Sequence, residues 1–186
     1  MKLIFFIYLP FSFCLMNKTF LLLLVGLGIS HWAFPQCEVR NLIYADGSML
    51  YSIKPVNFYQ TKSMELKGGV VTDREHYYLA LQPYPFPKKP LGNKLKDDLE
   101  LKLANDSVYH LEHFDTRYLD HDSVMQMLFQ LNSKKLDDFL NFDVISVKIN
   151  MQGTEGIRTY VFKLHKSAIR DQLACFLKEE KNKKKK

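Results

Sequence analysis

Leu99-Glu100-Leu101-Lys102-Leu103-Ala104-Asn105-Asp106-Ser107-Val108-Tyr109-His110-Leu111-Glu112-His113 is the stretch that decides the fold class. Leucines at 99, 101 and 103 alternate with Glu100 and Lys102, which sends apolar and charged side chains to opposite faces of an extended strand. Asn105, Asp106 and Ser107 carry turn chemistry, and the alternation resumes at Tyr109, Leu111 and His113. A three-residue loop keeps both apolar rows on one face, so the stretch predicts an antiparallel hairpin with one buried side.

The same rhythm extends in both directions. Downstream, Met125, Met127, Phe129 and Leu131 form one alternating row and Ile145, Val147, Ile149 and Met151 another, and after a turn at 153–156 the chain returns through Ile157 to Leu164. Upstream, Asn41 to Tyr44 and Met49 to Ile53 flank Asp46-Gly47, a dipeptide that accepts positive φ and favours a tight hairpin. That turn pairs Tyr44 with Met49 and Leu42 with Tyr51. Ser63 to Leu66 and Val70-Val71 are separated by Gly68-Gly69, which predicts a turn or bulge. Tyr77 to Leu81 reads as a buried strand running into Pro83, Pro85, Pro87 and Pro90, an extended exposed connection.

Helical spacing appears twice. Asn132 is placed to cap a short helix over 133–140 with Leu136, Phe139 and Leu140 inward. Residues 166–179 carry Ile169, Leu173 and Phe176 on one stripe, with Ala168 and Leu177 beside it. The expectation is a single α+β domain: an antiparallel sheet of hairpins with a short helix and a C-terminal helix packed on one face.

The 186-residue chain has a net charge of +6, but the excess sits at its ends. Of 26 basic residues, Lys2 and Lys18 precede the domain and five more, Lys181 and Lys183 to Lys186, close the chain, leaving 19 against 20 acidic residues in the body. A body this close to neutral predicts no nucleic-acid partner. Met16 opens a better secretory signal than Met1: Asn17, Lys18 and Thr19 form a short positive segment, Phe20 to Ile29 an apolar core, and Ser30 to Gln36 a polar exit. Ten apolar residues span about 15 Å of helix, half of a bilayer core, so no stable transmembrane span is expected after cleavage. The boundaries are therefore a signal peptide over 1–36, a domain over 37–180 and a disordered Lys-rich tail over 181–186.

Export bears on the cysteines. Cys14 leaves with the leader, and Cys37 and Cys175 are the two that remain, so oxidising surroundings predict a Cys37–Cys175 disulfide between the first strand and the last helix. A lipid on Cys37 is the alternative. Phe34, Pro35 and Gln36 match its recognition pattern poorly, since that pattern has Leu and two small residues before the cysteine.

The second half resembles a recurring pattern in small exported proteins of unknown function from Gram-negative bacteria. The residues that carry it are Leu131-Asn132 with Leu136 and Leu140, Ile145 to Ile149, Tyr160 to Leu164, Ala168-Ile169 and Ala174-Cys175. The resemblance covers roughly half of the mature chain. It implies a fold and an export route, and no activity.

Candidate chemistry concentrates at His110, Glu112, His113 and Asp115, followed by Asp120, His121 and Asp122. His110 and Glu112 lie two apart on a strand, about 7 Å on one face, so His110, Glu112 and His121 are the candidate metal ligands. Their spacing matches no established ligand motif, and a solvated polar face is the competing reading. The sequence holds no nucleophile elbow, no His-Glu-x-x-His pair and no glycine-rich phosphate cradle. A Cys/His site with His165 requires reduced thiols. Tyr84 and Phe86, set between prolines, are candidate partner-binding aromatics. The terminal lysines suit either an anionic surface or simple fraying beyond a helix. These readings converge on a periplasmic or extracellular non-enzymatic domain, without a cofactor, that binds an unknown protein or envelope component. A small metal-dependent hydrolytic enzyme using His110, Glu112 and His121 is the alternative.

Overall fold

The computed structural model describes residues 37–43, 47–86, 99–151 and 156–183. The signal segment, Asp46, Pro87, Pro90, Gly153 and the last three lysines lie outside them.

Two antiparallel sheets form where the sequence predicted one. The first contains β1 (Arg40–Ile43), β2 (Met49–Ser52), β3 (Val56–Gln60), β4 (Glu65–Thr72), β5 (Tyr77–Tyr84), β8 (His113–Leu119) and β9 (Val124–Leu131), in the order β1-β2-β4-β5-β9-β8, with β3 also paired to β4. The second contains β6 (Leu99–Leu103), β7 (Val108–Leu111), β10 (Val144–Asn150) and β11 (Ile157–Val161), in the order β11-β10-β6-β7. A 3-10 turn at Ser133–Lys135 leads into α1 (Leu136–Asn141), and α2 spans Ala168–Lys183.

The decisive hairpin pairs Leu99 with Leu111 and Leu101 with Tyr109, and Leu99, Leu101 and Leu103 are fully buried. Its second arm ends at Leu111. Glu112 separates it from β8, so His113 begins a strand of the other sheet, opposite Phe129. Alternation does not reveal such a change of partner, because it runs on through Leu111 and His113 and shifts only at the irregularity between His113 and Asp115.

One core joins the layers. Leu66, Val70, Leu79, Leu81, Met127 and Phe129 of the first sheet share it with Leu101, Val147, Ile149 and Tyr160 of the second, and Phe139, Ile169, Leu173 and Phe176 enter it from the helices. Phe58 and Phe162 stack across it, with ring centroids 4.3 Å apart. Asn132 caps as its position predicts, its Oδ1 accepting the Lys134 N–H at 2.9 Å.

Four local expectations are revised. β1 pairs with β2 one residue out of the predicted register, Leu42 facing Leu50 and Ile43 facing Met49, and Tyr44, expected opposite Met49, lies outside the described residues. Gly68-Gly69 lies inside β4, where close approach and not a turn requires glycine. A bulge between Val144 and Ser146 buries Val144 and leaves Ile145 half-buried. The last helix continues through Lys183, past the start of the predicted tail at 181. Among the described residues, no helix is long and apolar enough to cross a membrane.

Candidate functional site

The site begins with a break in a strand. β2 pairs with β4 at Tyr51–Thr72 and Ser52–Val71, and β3 takes up the same edge only at Val56–Gly68. Ile53, Lys54 and Pro55 bridge the gap, where proline cannot donate to a ladder. Gln172 of α2 fills it from outside the sheet: its Oε1 accepts the Val70 N–H at 2.7 Å and its Nε2 donates to the Lys54 carbonyl at 3.3 Å. A side-chain amide thus stands in for a missing peptide group. Gln172 is 6 % exposed, so Gln172→Leu is expected to leave the Val70 donor buried and unmet, at a cost of about 1–3 kcal/mol in urea denaturation.

The break lets the first sheet roll. Ser48 at the β1–β2 end and Arg117 on β8 are separated by four inter-strand steps, roughly 19 Å in a flat sheet. In the structure the two terminal nitrogens of Arg117 reach the Ser48 hydroxyl at 3.4 and 3.5 Å, and Asp115 holds the Arg117 Nε at 2.6 Å. The face turned away from the main core is therefore enclosed by the curl. Leu50, Val71, Tyr78, Ala80 and Leu128 make a second apolar cluster there, and Phe114 covers Tyr78 with ring centroids 4.5 Å apart.

Beside this cluster the curl leaves a cleft of about 230 Å³. Ala80, paired with Gly69 across β5 and β4, gives it depth because its side chain is a single methyl, while the Gln172 amide fills the side-chain direction of Gly69. Leu42, Ile53, Val71 and Leu119 supply aliphatic walls. Ser52 and Gln126, 7 % and 3 % exposed, are buried polar lining residues, and Gln82 lies one step beyond the last β5–β9 pair, Leu81–Met127, opposite Gln126. Exposed Arg40 and Lys54 line the mouth. Arg40 is held by Glu38, whose Oε1 accepts from Nε at 3.2 Å and from a terminal nitrogen at 3.1 Å.

One end of the apolar cluster carries two perturbed ionisable groups. Tyr78 donates to Asp73 Oδ2 at 3.0 Å, and burial first, then this carboxylate, pushes the phenol up to about 12. Partial burial pushes Asp73 upward, but the backbone N–H groups of His76 and Glu75, with the Tyr78 hydroxyl, outweigh it and hold the carboxyl below its ordinary range. The raised phenol stabilises the fold fully below the unfolded tyrosine pKa near 10, and that contribution is lost as pH climbs from about 10 to 12. The depressed carboxyl acts in the opposite window: its contribution is present at neutral pH and disappears as pH falls below about 4. Urea midpoints measured against pH are expected to show Tyr78→Phe flattening the alkaline limb and Asp73→Asn the acid limb.

The candidate residues from the sequence are placed apart from this cleft. His110 is exposed on β7 opposite Glu100, whose Oε1 accepts from Lys148 Nζ at 2.6 Å; that hydrogen bond holds the Glu100 carboxyl low. Glu112 is exposed between β7 and β8, and His121 is exposed in the β8–β9 turn, where Asp120, His121 and Asp122 all have positive φ. Among the described residues no group of three or more His, Cys, Asp or Glu side chains is placed to hold a metal ion. Tyr84 is 58 % exposed. Phe86 is half-buried, packed on the core with its ring 6.2 Å from that of Tyr118, because an aromatic ring next to an apolar surface gains by covering it. Cys37 and Cys175 stand at disulfide distance, with Cα atoms 5.7 Å apart.

Sequence reasoning missed the cleft residues. The available signal was Gln126 inside the otherwise apolar run Met125 to Phe129, and Gln82 following Leu81: polar residues on a strand face that is itself enclosed. No family model matches the sequence, and neither the curated proteins nor the solved structures compared with it yield a match. The fold is a mostly antiparallel α+β domain.

Proposed function

We propose that this chain is an exported, non-enzymatic binding domain that takes a partner from the cell envelope or its surroundings into the cleft of the rolled sheet. The observation that carries this reading is the lining: aliphatic walls around two glutamines and a serine suit retention of a ligand by burial and hydrogen bonding. Two further features support it. The segment from Met16 to Gln36 has the order of a secretory signal, and Cys37 and Cys175 are positioned for a bond that an oxidising compartment favours. The helices are read as one buttress behind the sheet, supported by the shared burial of Phe139, Ile169 and Leu173. Exposed Tyr84 extends the partner surface beside the cleft.

Fractionation with N-terminal sequencing and a thiol assay tests the export half: mature protein should begin at or near Cys37 and carry no free thiol. Amide spectra recorded with an envelope extract test the binding half, with shifts expected at Val71, Ala80 and Gln126. Cytosolic protein with an intact leader and reduced thiols would overturn the first half, and unmoved cleft amides the second.

A further inference from the structure

We infer that the cleft takes a small anionic amphiphile, an unbranched aliphatic chain ending in a carboxylate; this rests on the reading of the cleft as a binding site. Its volume, about 230 Å³, falls below the roughly 300 Å³ at which pockets for drug-sized molecules begin, so it suits one narrow chain. The walls are aliphatic, and among the described residues no aromatic ring lines the cleft to stack on a sugar or a base.

Charge fixes the other end of the ligand. Among the described residues the ionisable lining residues are Arg40 and Lys54, both cationic and both exposed at the mouth, and none of the lining residues is a carboxylate, Glu38 being paired with Arg40. Glu38 engages two of the five guanidinium donors of Arg40, which leaves that group able to accept a second carboxylate. An acyl chain buried over Ala80 would carry its head group outward to these cations, with Gln82 alongside it. A cationic amphiphile of the same length meets like charge at the mouth.

Calorimetric titration of the disulfide-bonded protein with octanoate, octanol and octylamine tests the assignment. Octanoate is expected to bind roughly five- to tenfold more tightly than octanol, the scale of two exposed ion pairs, and octylamine more weakly than either. The double change Arg40→Gln and Lys54→Gln should bring octanoate down to the level of octanol. Ala80→Leu should abolish binding by filling the floor. Should that variant fail to fold, Leu42→Glu at the exposed wall provides the second test, weakening octanoate while sparing octylamine. Equal binding of octanoate and octanol, unaffected by the double change, overturns the anionic class. Octanoate binding that ignores both wall and floor variants overturns the site. If none of the three probes binds while the envelope extract still shifts the cleft amides, the ligand class falls and the binding reading stands; if the extract is silent as well, both fall.

Discussion

Cys175→Ser is expected to lower stability by about 4–5 kcal/mol, because the bond between Cys37 and Cys175 closes a loop of 138 residues and so restricts most of the unfolded chain. Cys37→Ser should give the same loss, and the double change no more, since each removes one and the same constraint. The loss should also be local. Cys37 lies three residues before β1, every residue of β1 is exposed, and β2 is held to β4 at only two positions. Hydrogen exchange in the variant should therefore accelerate first across 40–52, which includes the Arg40, Leu42 and Ser52 side of the cleft. Uniform acceleration, or an unchanged denaturation midpoint, would remove the disulfide from its assigned role.

Gly68→Ala is expected to cost at least about 3 kcal/mol, the upper end of the overpacking range, although alanine suits the backbone there in every other respect. A Cβ at position 68 would collide with the carbonyl oxygen of Ala80 and stand 2.9 Å from Leu81 Cδ2 and 3.1 Å from the Phe58 ring. The first obstacle is backbone, and it cannot yield: β4 and β5 are paired at eight consecutive positions, with Gly68 opposite Leu81. Phe58 is equally fixed by its stack on Phe162. Gly69→Ala meets the Gln172 amide first, 2.6 Å away, and should cost less because a side chain can move, though it then gives up the Val70 hydrogen bond. Urea denaturation of the two variants checks the order. A loss below about 1 kcal/mol for Gly68→Ala would mean that β4 and β5 lie farther apart than described.

Legibility followed the range of the interaction. The alternation of Leu99 to Leu111 and of Met125 to Leu131, the cap at Asn132 and the Ile169-Leu173-Phe176 stripe depend on neighbours within one element, and each appears where its spacing places it. The division into two sheets at Glu112 was hidden, because the alternation continues across it to His113 and shifts only beyond, between His113 and Asp115. Gly68-Gly69 misled for a related reason: glycine serves turns and close approaches alike, and only the positions of Ala80, Phe58 and Gln172 decide between them. The cleft was the least legible feature. Its lining runs from Arg40 to Gln126, and its glutamines read as an outward, solvated face until the curl of the sheet encloses them. The His110, Glu112 and His121 set had the opposite fate, since residues close in sequence separate onto a sheet, a junction and a turn.

The cleft exists only if the two ends of the first sheet meet, so the contact between Ser48 and Arg117 is the point to measure. Nuclear Overhauser spectra of the disulfide-bonded protein should contain cross-peaks between the Arg117 side chain and the Ser48 methylene, across strands four places apart. Cross-peaks from Arg117 confined to Asp115 and β9, with the β1–β2 hairpin contacting nothing beyond β4, would show an open sheet without an enclosed face.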